Sequence, residues 1–485
     1  MTTVDPPRQD PEADEPGVTG EDRGYQRLLL AIAMLAVMAF GSLMTIVTVA
    51  LGDIAGDLGS SRATLTWMIT GLMLAMAVAT PIAGKLGDIK GHRPMFLLGL
   101  LGGIVTTLAS AFAWDATSMI VFRVLFGLTG AFVMPNGMAL MMHAYGPERR
   151  ATAMGWFQFA MTGAPTIGLV IGGPLIDVVG WRWIFVAFAA VTVVAATLGW
   201  RYIRATPRQV GVSIDYLGAA TLAGAVLTGL LALTRVTELL RDGEGVAALA
   251  DPVAIALVVL SALGVAAFVR VERRAVAPML KLDYFTRRNF VLPMVSSSTA
   301  QFAYMGGFVV TPALLGGPYG LGIGAIALML APRPGAFSLA SPLGGYLATA
   351  IGERRPIIFG SVAMVASMIG FAFAAGLTGI GGLILIVVAL VLSGVSAGIS
   401  QPAVSTMVVG AVDPEDMGIA NGMSQQLMFI GVVTGIQTMN VFLGDDAGTS
   451  RFAITFGIGA VVAAVGLLAA VALSERPRVA TTATT

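Results

Sequence analysis

The sequence predicts an all-helical integral membrane protein with fourteen transmembrane spans. Three observations carry this. Of 485 residues, 56% are hydrophobic and 11% charged, and the mean hydropathy is +0.86, whereas a soluble domain is about 25% charged. Apolar runs of about 20 residues, long enough to cross a bilayer as helix, recur along the chain. Lys and Arg concentrate on alternate connections: with the N-terminus inside, 21 of the 28 fall in the tails and cytoplasmic loops, the bias that sets membrane topology.

Taken in order, residues 1–27 are Pro-rich and acidic, with seven Asp or Glu among the first 25. They lack a basic stretch followed by an apolar core, so the segment reads as a disordered cytoplasmic tail and not as a signal peptide. Spans are predicted at 28–51, 64–83, 95–113, 118–144, 151–175, 183–201, 214–236, 252–270, 290–315, 319–347, 356–377, 382–411, 417–442 and 453–474. An even number places both termini in the cytoplasm, with 475–485 as a second tail. Arg62, Arg182, Arg235, Arg241 and Arg451 fall at or beyond outer span ends, and Arg123 and Arg333 lie within spans. Trp67, Trp114, Trp181 and Trp183 near outer ends, and Trp156 and Trp200 near inner ends, fit interfacial aromatic belts. The ratio of 25 Arg to three Lys points to a GC-rich bacterial genome, hence to a bacterial plasma membrane.

An internal repeat divides the spans. At a constant offset of 267, Gly127 matches Gly394, Pro135 matches Pro402, Pro147-Glu148 matches Pro414-Glu415, and Gly155, Gln158 and Gly168 match Gly422, Gln425 and Gly435. Parallel six-helix repeats build one class of secondary transporter. The halves are then 28–204 and 290–474, and 205–289 holds an inserted helix pair with a cytoplasmic linker.

The stretch Gly84–Pro94, GKLGDIKGHRP, is the most informative segment. It is a short polar loop between spans 2 and 3. Gly84 and Gly91 allow tight backbone geometry. Asp88 is placed to act on helix dipoles and arginines. A second copy, GYLATAIGERRP, begins at Gly345 at an offset of 261, with Thr349 in place of the acid. The first copy resembles the loop between helices 2 and 3 of the major facilitator superfamily, Gly-x-Leu-Ala-Asp-Arg-x-Gly-Arg-Lys, with Ile89 and His92 where that family prefers Arg. Fourteen spans in this arrangement resemble the fourteen-helix branch of that family, mostly drug:proton antiporters. The resemblance implies a major-facilitator fold. It also implies a gating role for Gly84, Asp88, Gly91 and Arg93, with basic residues of the same loop, or nearby ones such as Arg149 and Arg150, as partners for Asp88.

Further motifs extend the resemblance. Thr45–Ile54 is similar to the family's Leu-Asp-x-Thr-Ile-Val-Asn-Val-Ala-Leu-Pro, but Leu43 replaces the membrane Asp that is a favoured proton carrier, Thr48 the Asn and Gly52 the Pro. Arg123-Val-Leu-Phe-Gly127 resembles the Arg-x-x-x-Gly of span 4. Its counterpart in the second half is Leu390, so the fold alone does not demand the Arg. Arg123 reads either as a coupling or gating residue or as a donor to backbone carbonyls. Asp53 at the outer end of span 1, with Asp57 behind it, is the candidate proton carrier that could pair with Arg123. In span 5, Gly163, Pro165, Gly168, Gly172 and Gly173 partly match the exporters' antiporter motif, with Ala164 and Leu169 as departures. Their small-xxx-small spacing equally serves close helix packing.

Arg333, between Pro332 and Pro334, lies twelve residues before Gly345, about 18 Å into the membrane. It reads either as a donor to the Leu328 and Leu330 carbonyls freed by the prolines or as a cavity residue that meets a substrate oxygen. Gln158, Gln301, Tyr304, Gln401 and Gln425 are the other cavity candidates. All 27 acids fall in tails, loops or span ends. A cavity with buried Arg and no central carboxylate suits neutral or anionic amphiphiles better than cations.

With no Cys, two His and no Gly-rich phosphate loop after a strand, the sequence points neither to an enzyme nor to a cofactor or metal. A net charge of +1 gives no case for nucleic acid. The expected function is export of hydrophobic small molecules in exchange for protons, by a monomer in the bilayer. An uncoupled lipid or metabolite facilitator and a non-transporting membrane sensor are the alternatives.

Overall fold

The computed structural model describes residues 20–60, 62–65, 67–206, 215–241, 250–275, 278, 280–377, 379–443 and 448–474. The described residues are helical and include no strand, as bilayer crossing demands when every backbone polar group must be satisfied internally. The first half comprises α1 (Gly20–Val49), the short α2 (Leu51–Asp57) and α3 (Arg62–Leu65), α4 (Trp67–Lys90), α5 (His92–Ala111), α6 (Ala116–Val179) and α7 (Trp181–Tyr202). The inserted pair is α8 (Tyr216–Arg241) and α9 (Pro252–Glu272). The second half comprises α10 (Arg288–Gly316), α11 (Ile323–Leu330), α12 (Pro332–Ile351), α13 (Arg354–Ala375), α14 (Ile380–Val409), α15 (Met417–Leu443) and α16 (Thr449–Val471).

These elements supply the fourteen predicted spans, with three departures that chain chemistry explains. Spans 4 and 5 run together as α6, kinked at Gly146, whose φ of 62° and ψ of 171° only glycine adopts without strain. The predicted span 319–347 is two helices. Pro332 has no N–H to continue α11, so α12 restarts there with proline at its first turn. The predicted loop 84–94 is mostly helix. α4 runs on to Lys90, Gly91 alone turns with φ 95°, and α5 begins at His92. Gly352, 261 residues later, makes the same turn with φ 87°.

Helices in lipid gain little from hydrophobicity and associate through close contact of small residues. Gly84 meets the backbone of Gly418, and Gly345 meets that of Ala151. A Cβ on Gly155 would stand 2.6 Å from the Ser341 carbonyl oxygen, and one on Gly422 2.7 Å from Pro81 Cα. Each contact joins one half to the other, α4 to α15 or α6 to α12. Each lies towards the face that carries Lys85, Arg93, Arg204 and Lys281, called the basic face below. There the halves share one apolar core, in which Met407, Met417 and Ile419 pack with Met138, Met142 and Met154. A second core, built around Phe337, Phe371 and Phe456, belongs to the second half alone. The inserted pair lies outside this bundle. α8 touches both α4 and α15, and the outer side of α9 is a row of exposed Val, Ile and Leu.

Candidate functional site

Three groups of polar residues sit in an otherwise apolar bundle. The first closes the basic face. Asp88, in the last turn of α4, is 4% exposed. Its Oδ1 accepts the Gly418 N–H at 2.7 Å and its Oδ2 the Ile419 N–H at 2.8 Å. Those N–H groups open α15, where helices leave donors unpaired and the dipole favours an anion. The glycine at 418 lets the two backbones approach. Beside this latch, Asn136 donates its Nδ2 to the Ala83 and Phe132 carbonyls. Its Oδ1 therefore faces His92 Nδ1 at 3.0 Å, which assigns the ring proton to Nδ1. His92 Nε2 is then left 3.4 Å from Asp88 Oδ1.

The second group reinforces the latch. Buried Lys85 pairs with Asp416 at 3.0 Å across the halves. Asp416 also accepts the Tyr284 hydroxyl at 2.6 Å and lies 2.9 Å from Lys281. Tyr284 and Lys281 belong to the linker that follows the inserted pair, so one carboxylate ties together both halves and the linker. Lys281 reaches Asp413 at 2.7 Å and Glu415 at 3.3 Å as well. The Lys281 hydrogen bond, followed by that of Tyr284, holds the Asp413 carboxyl below the usual carboxylate range. Burial, then the Asp416 carboxylate, keeps the Tyr284 hydroxyl protonated as a donor.

The third group is the pair of buried arginines. Arg123 is 1% exposed and donates to Ser110 Oγ at 2.9 Å. Its guanidinium lies 4.5 Å from the Phe126 ring centre and 4.8 Å from that of Phe185. Arg333 is fully buried, 3.7 Å from the Tyr304 ring centre, and donates Nη2 to the Tyr304 carbonyl. Arg123 Nη1 and Arg333 Nε and Nη1 have no hydrogen-bond partner among the described residues. Such donors are costly in hydrocarbon.

With this geometry, residues 30–436 match the Major Facilitator Superfamily. The chain belongs to that superfamily. Among relatives of the facilitator, the tetracenomycin C resistance and export protein of Streptomyces glaucescens is 28% identical over 87% of this chain and 76% of its own. The multidrug transporter protein MdtP of Bacillus subtilis is 26% identical over 88% of this chain and 77% of its own. The human organic anion transporter MFSD10 (TETRAN) shares the fold, with a TM-score of 0.64 over 90% of this chain and 99% of its own at 14% identity.

Several expected partnerships of the facilitator are replaced by others. Of the basic residues offered for it, Asp88 meets His92 of its own segment at 3.4 Å and not Arg149 or Arg150. Arg149 is exposed, and Arg150 donates to the Met142 carbonyl at 2.9 Å. The reason is that Asp88 emerges from helix, not loop, and points across the seam to α15. Arg93 ties α5 to the Trp200 carbonyl of α7, within the first half. Asp53 is exposed and does not pair with Arg123, whose burial against Ser110 and two rings turns it away. Asp57 pairs with Arg182, assisted by Trp181 Nε1 at 3.3 Å. The Arg182 hydrogen bond lowers its pKa. Arg333 bonds neither Leu328 nor Leu330; its acceptor is on α10.

Gln401 pairs with Ser297 at 3.0 Å, and Gln425 Nε2 lies 3.1 Å from Met138 Sδ, so both bridge helices. Gln158 and Gln301 keep buried Oε1 atoms without a hydrogen-bond partner among the described residues. Gln301 stands one turn before Tyr304 on α10. Gly163 faces Ser338, which bonds the Phe159 carbonyl at 3.0 Å across the halves. Pro165, Gly168, Gly172 and Gly173 lie along α6, with their surroundings outside the described residues.

The gate contains residues to which sequence reasoning gave no role: His92, Asn136, Asp416 and Tyr284. Two had signals. His92 departs from the family pattern, and Asp416 stands at the repeat offset from Arg149, an acid where the first half has a base.

Proposed function

We propose that this facilitator exports hydrophobic or amphipathic small molecules across the bacterial plasma membrane by alternating access, exchanging them for protons. The observation that carries the proposal is the closed gate between the halves. Asp88 on the α15 N-terminus, Lys85 on Asp416 and the glycine contacts all lie on the basic face, which the charge bias makes the cytoplasmic one. A gate closed on that side belongs to the outward-facing or occluded part of a transport cycle. The names of the tetracenomycin and multidrug relatives support export of drug-like molecules.

Substrate preference is read from the buried arginines. Arg333 holds two donors without a partner among the described residues, against the Tyr304 ring, and no acid lies mid-span. Neutral and anionic amphiphiles fit better than permanent cations. Two titratable groups, His92 Nε2 and Asp88 Oδ1, stand 3.4 Å apart in the gate, which makes the gate itself a candidate coupling site, alongside exposed Asp53.

The test is transport in proteoliposomes with and without an imposed pH gradient, using neutral, anionic and cationic amphiphiles. Gradient-driven uptake of neutral and anionic probes is expected. Robust transport of a quaternary ammonium compound would overturn the charge preference. Flux indifferent to the gradient would favour an uncoupled facilitator, a reading that Leu43 supports. It is 1% exposed where the resemblance expects the proton-carrying Asp.

A further inference from the structure

The inserted pair does not pack flush against the bundle. Between α8, α9 and α15 lies a cavity of about 810 Å³. It runs along α15 from Met423 to Thr434, about 16 Å at 1.5 Å per residue. That is half the ~30 Å hydrocarbon thickness, the depth of one leaflet. Its walls are Leu, Val, Ala and Phe side chains, with Arg273 at the end that opens towards the basic face. Arg270, Arg273 and Arg274 are all exposed there. Within the walls, Gln426 is 2% exposed, and its Nε2 has no hydrogen-bond partner among the described residues. Next to the cavity, Leu230 of α8 packs in one cluster with Leu74 and Ala77 of α4 and with Phe429 and Ile430 of α15.

We infer that this cavity is a binding site for one anionic phospholipid of the basic-face leaflet, with an acyl chain along α15 and the phosphate on Arg273. Four observations converge on that occupant. The slot is apolar and one leaflet deep. A cation stands at headgroup level and at no other point of the lining. Gln426 supplies an amide donor for an ester carbonyl. The outer side of α9 is exposed aliphatic surface, so the slot opens onto lipid. The place also suits a deformable filler. α8 bridges α4 and α15, the two helices that carry the Asp88 latch, and a rocking first half must slide α4 past α15 beneath it. A lipid chain adapts to that movement where fixed side chains would clash.

The experiment uses the full-length protein in nanodiscs. A phosphatidylglycerol carrying a photoreactive group in its acyl chain should label Met423, Leu427 or Val265. A phosphatidylcholine of the same chain should label them at least tenfold less. Native mass spectrometry should show one phosphatidylglycerol retained by the wild type and lost from Arg273→Glu. Val226→Phe, which narrows the slot, should remove the adduct while helix content by circular dichroism stays unchanged. The wild-type labelling pattern decides the matter even if a variant fails to fold. Labelling confined to other surfaces overturns the proposal, as does equal labelling by both lipids. Displacement of the label by a transported dye, but not by unlabelled phosphatidylglycerol, would make the slot a substrate portal and overturn it too.

Discussion

At Asp88 a single carboxylate spans the boundary between the two halves, and its replacement gives the sharpest test of the gate. Asn keeps the shape and one acceptor but loses the charge that the α15 N-terminus stabilises. Hydrogen bonds to charged groups are worth about 1.5–3 kcal/mol, so Asp88→Asn should move the population towards the inward-open state by roughly 10- to 100-fold. Reporter cysteines in the cavity, probed from the cytoplasmic side, would measure it, and equal accessibility in both forms would contradict the latch. At Arg333 the two functions suggested by its sequence context separate cleanly. Arg333→Leu deletes the donor to the Tyr304 carbonyl and the two unpartnered donors together. If the free donors meet substrate, binding of anionic probes should weaken by about 1.5–3 kcal/mol more than binding of neutral ones. Equal losses would leave Arg333 as a brace for α10. Asp53→Asn should abolish gradient-driven transport while sparing substrate binding if the exposed carboxylate carries the proton; unchanged pumping would leave that task to the His92–Asp88 pair. Asp57 is a poorer carrier. Its pKa is lowered by Arg182, so the pair it forms is present above the usual carboxylate value of 3.8 and is lost only as pH falls through the lower folded value. Measured from pH 5 to 8, the Asp57–Arg182 contact should therefore show no titration, and its loss in Asp57→Asn should cost no more than about 1 kcal/mol.

Among the elements, the linker after the inserted pair has the clearest energetic role. Tyr284 is 1% exposed and donates its hydroxyl proton to Asp416 at 2.6 Å, with Asp413 Oδ2 3.0 Å away. Tyr284→Phe would leave a buried carboxylate short of a donor, at about 1–3 kcal/mol, and a fall in thermal stability of the detergent-purified protein is the expected readout. This linker also shows where sequence reasoning stops. Span number, the two halves and the inserted pair were legible, because apolar length and the 267-residue offset are properties of the chain itself. The continuation of α4 through Gly84–Lys90 was not. Its Lys and Asp resemble a surface turn until α15 is present to receive them. The break at Ala331 was half legible: Pro332 and Pro334 announced a weakened helix, but the acceptor for Arg333 lay on α10, 29 residues away and not readable from local sequence. Pairings such as Lys85 with Asp416, 331 residues apart, depend on how the halves dock and leave no local trace.

For the molecule as a whole, the seam between the halves is built from main chain as much as from side chains. Gly84 against Gly418 and Gly345 against Ala151 repeat the same contact at pseudo-symmetric places. Any Cβ at Gly84 would push α4 off α15, so Gly84→Val should bias the transporter inward and slow turnover without altering the fold. Substrate-release rates together with helix content by circular dichroism would check this. The same construction divides mutational risk unequally between the two sides of the latch. Asp88 receives its hydrogen bonds from amides that every residue except proline would supply, so the α15 side keeps its donors through almost any substitution; what it requires is smallness at position 418. The α4 side has no such redundancy, since one codon change at position 88 removes the acceptor. Selection that retunes cycling speed, as drug pressure on an efflux pump would, should therefore collect its changes on α4 and around His92 and leave the start of α15 nearly untouched.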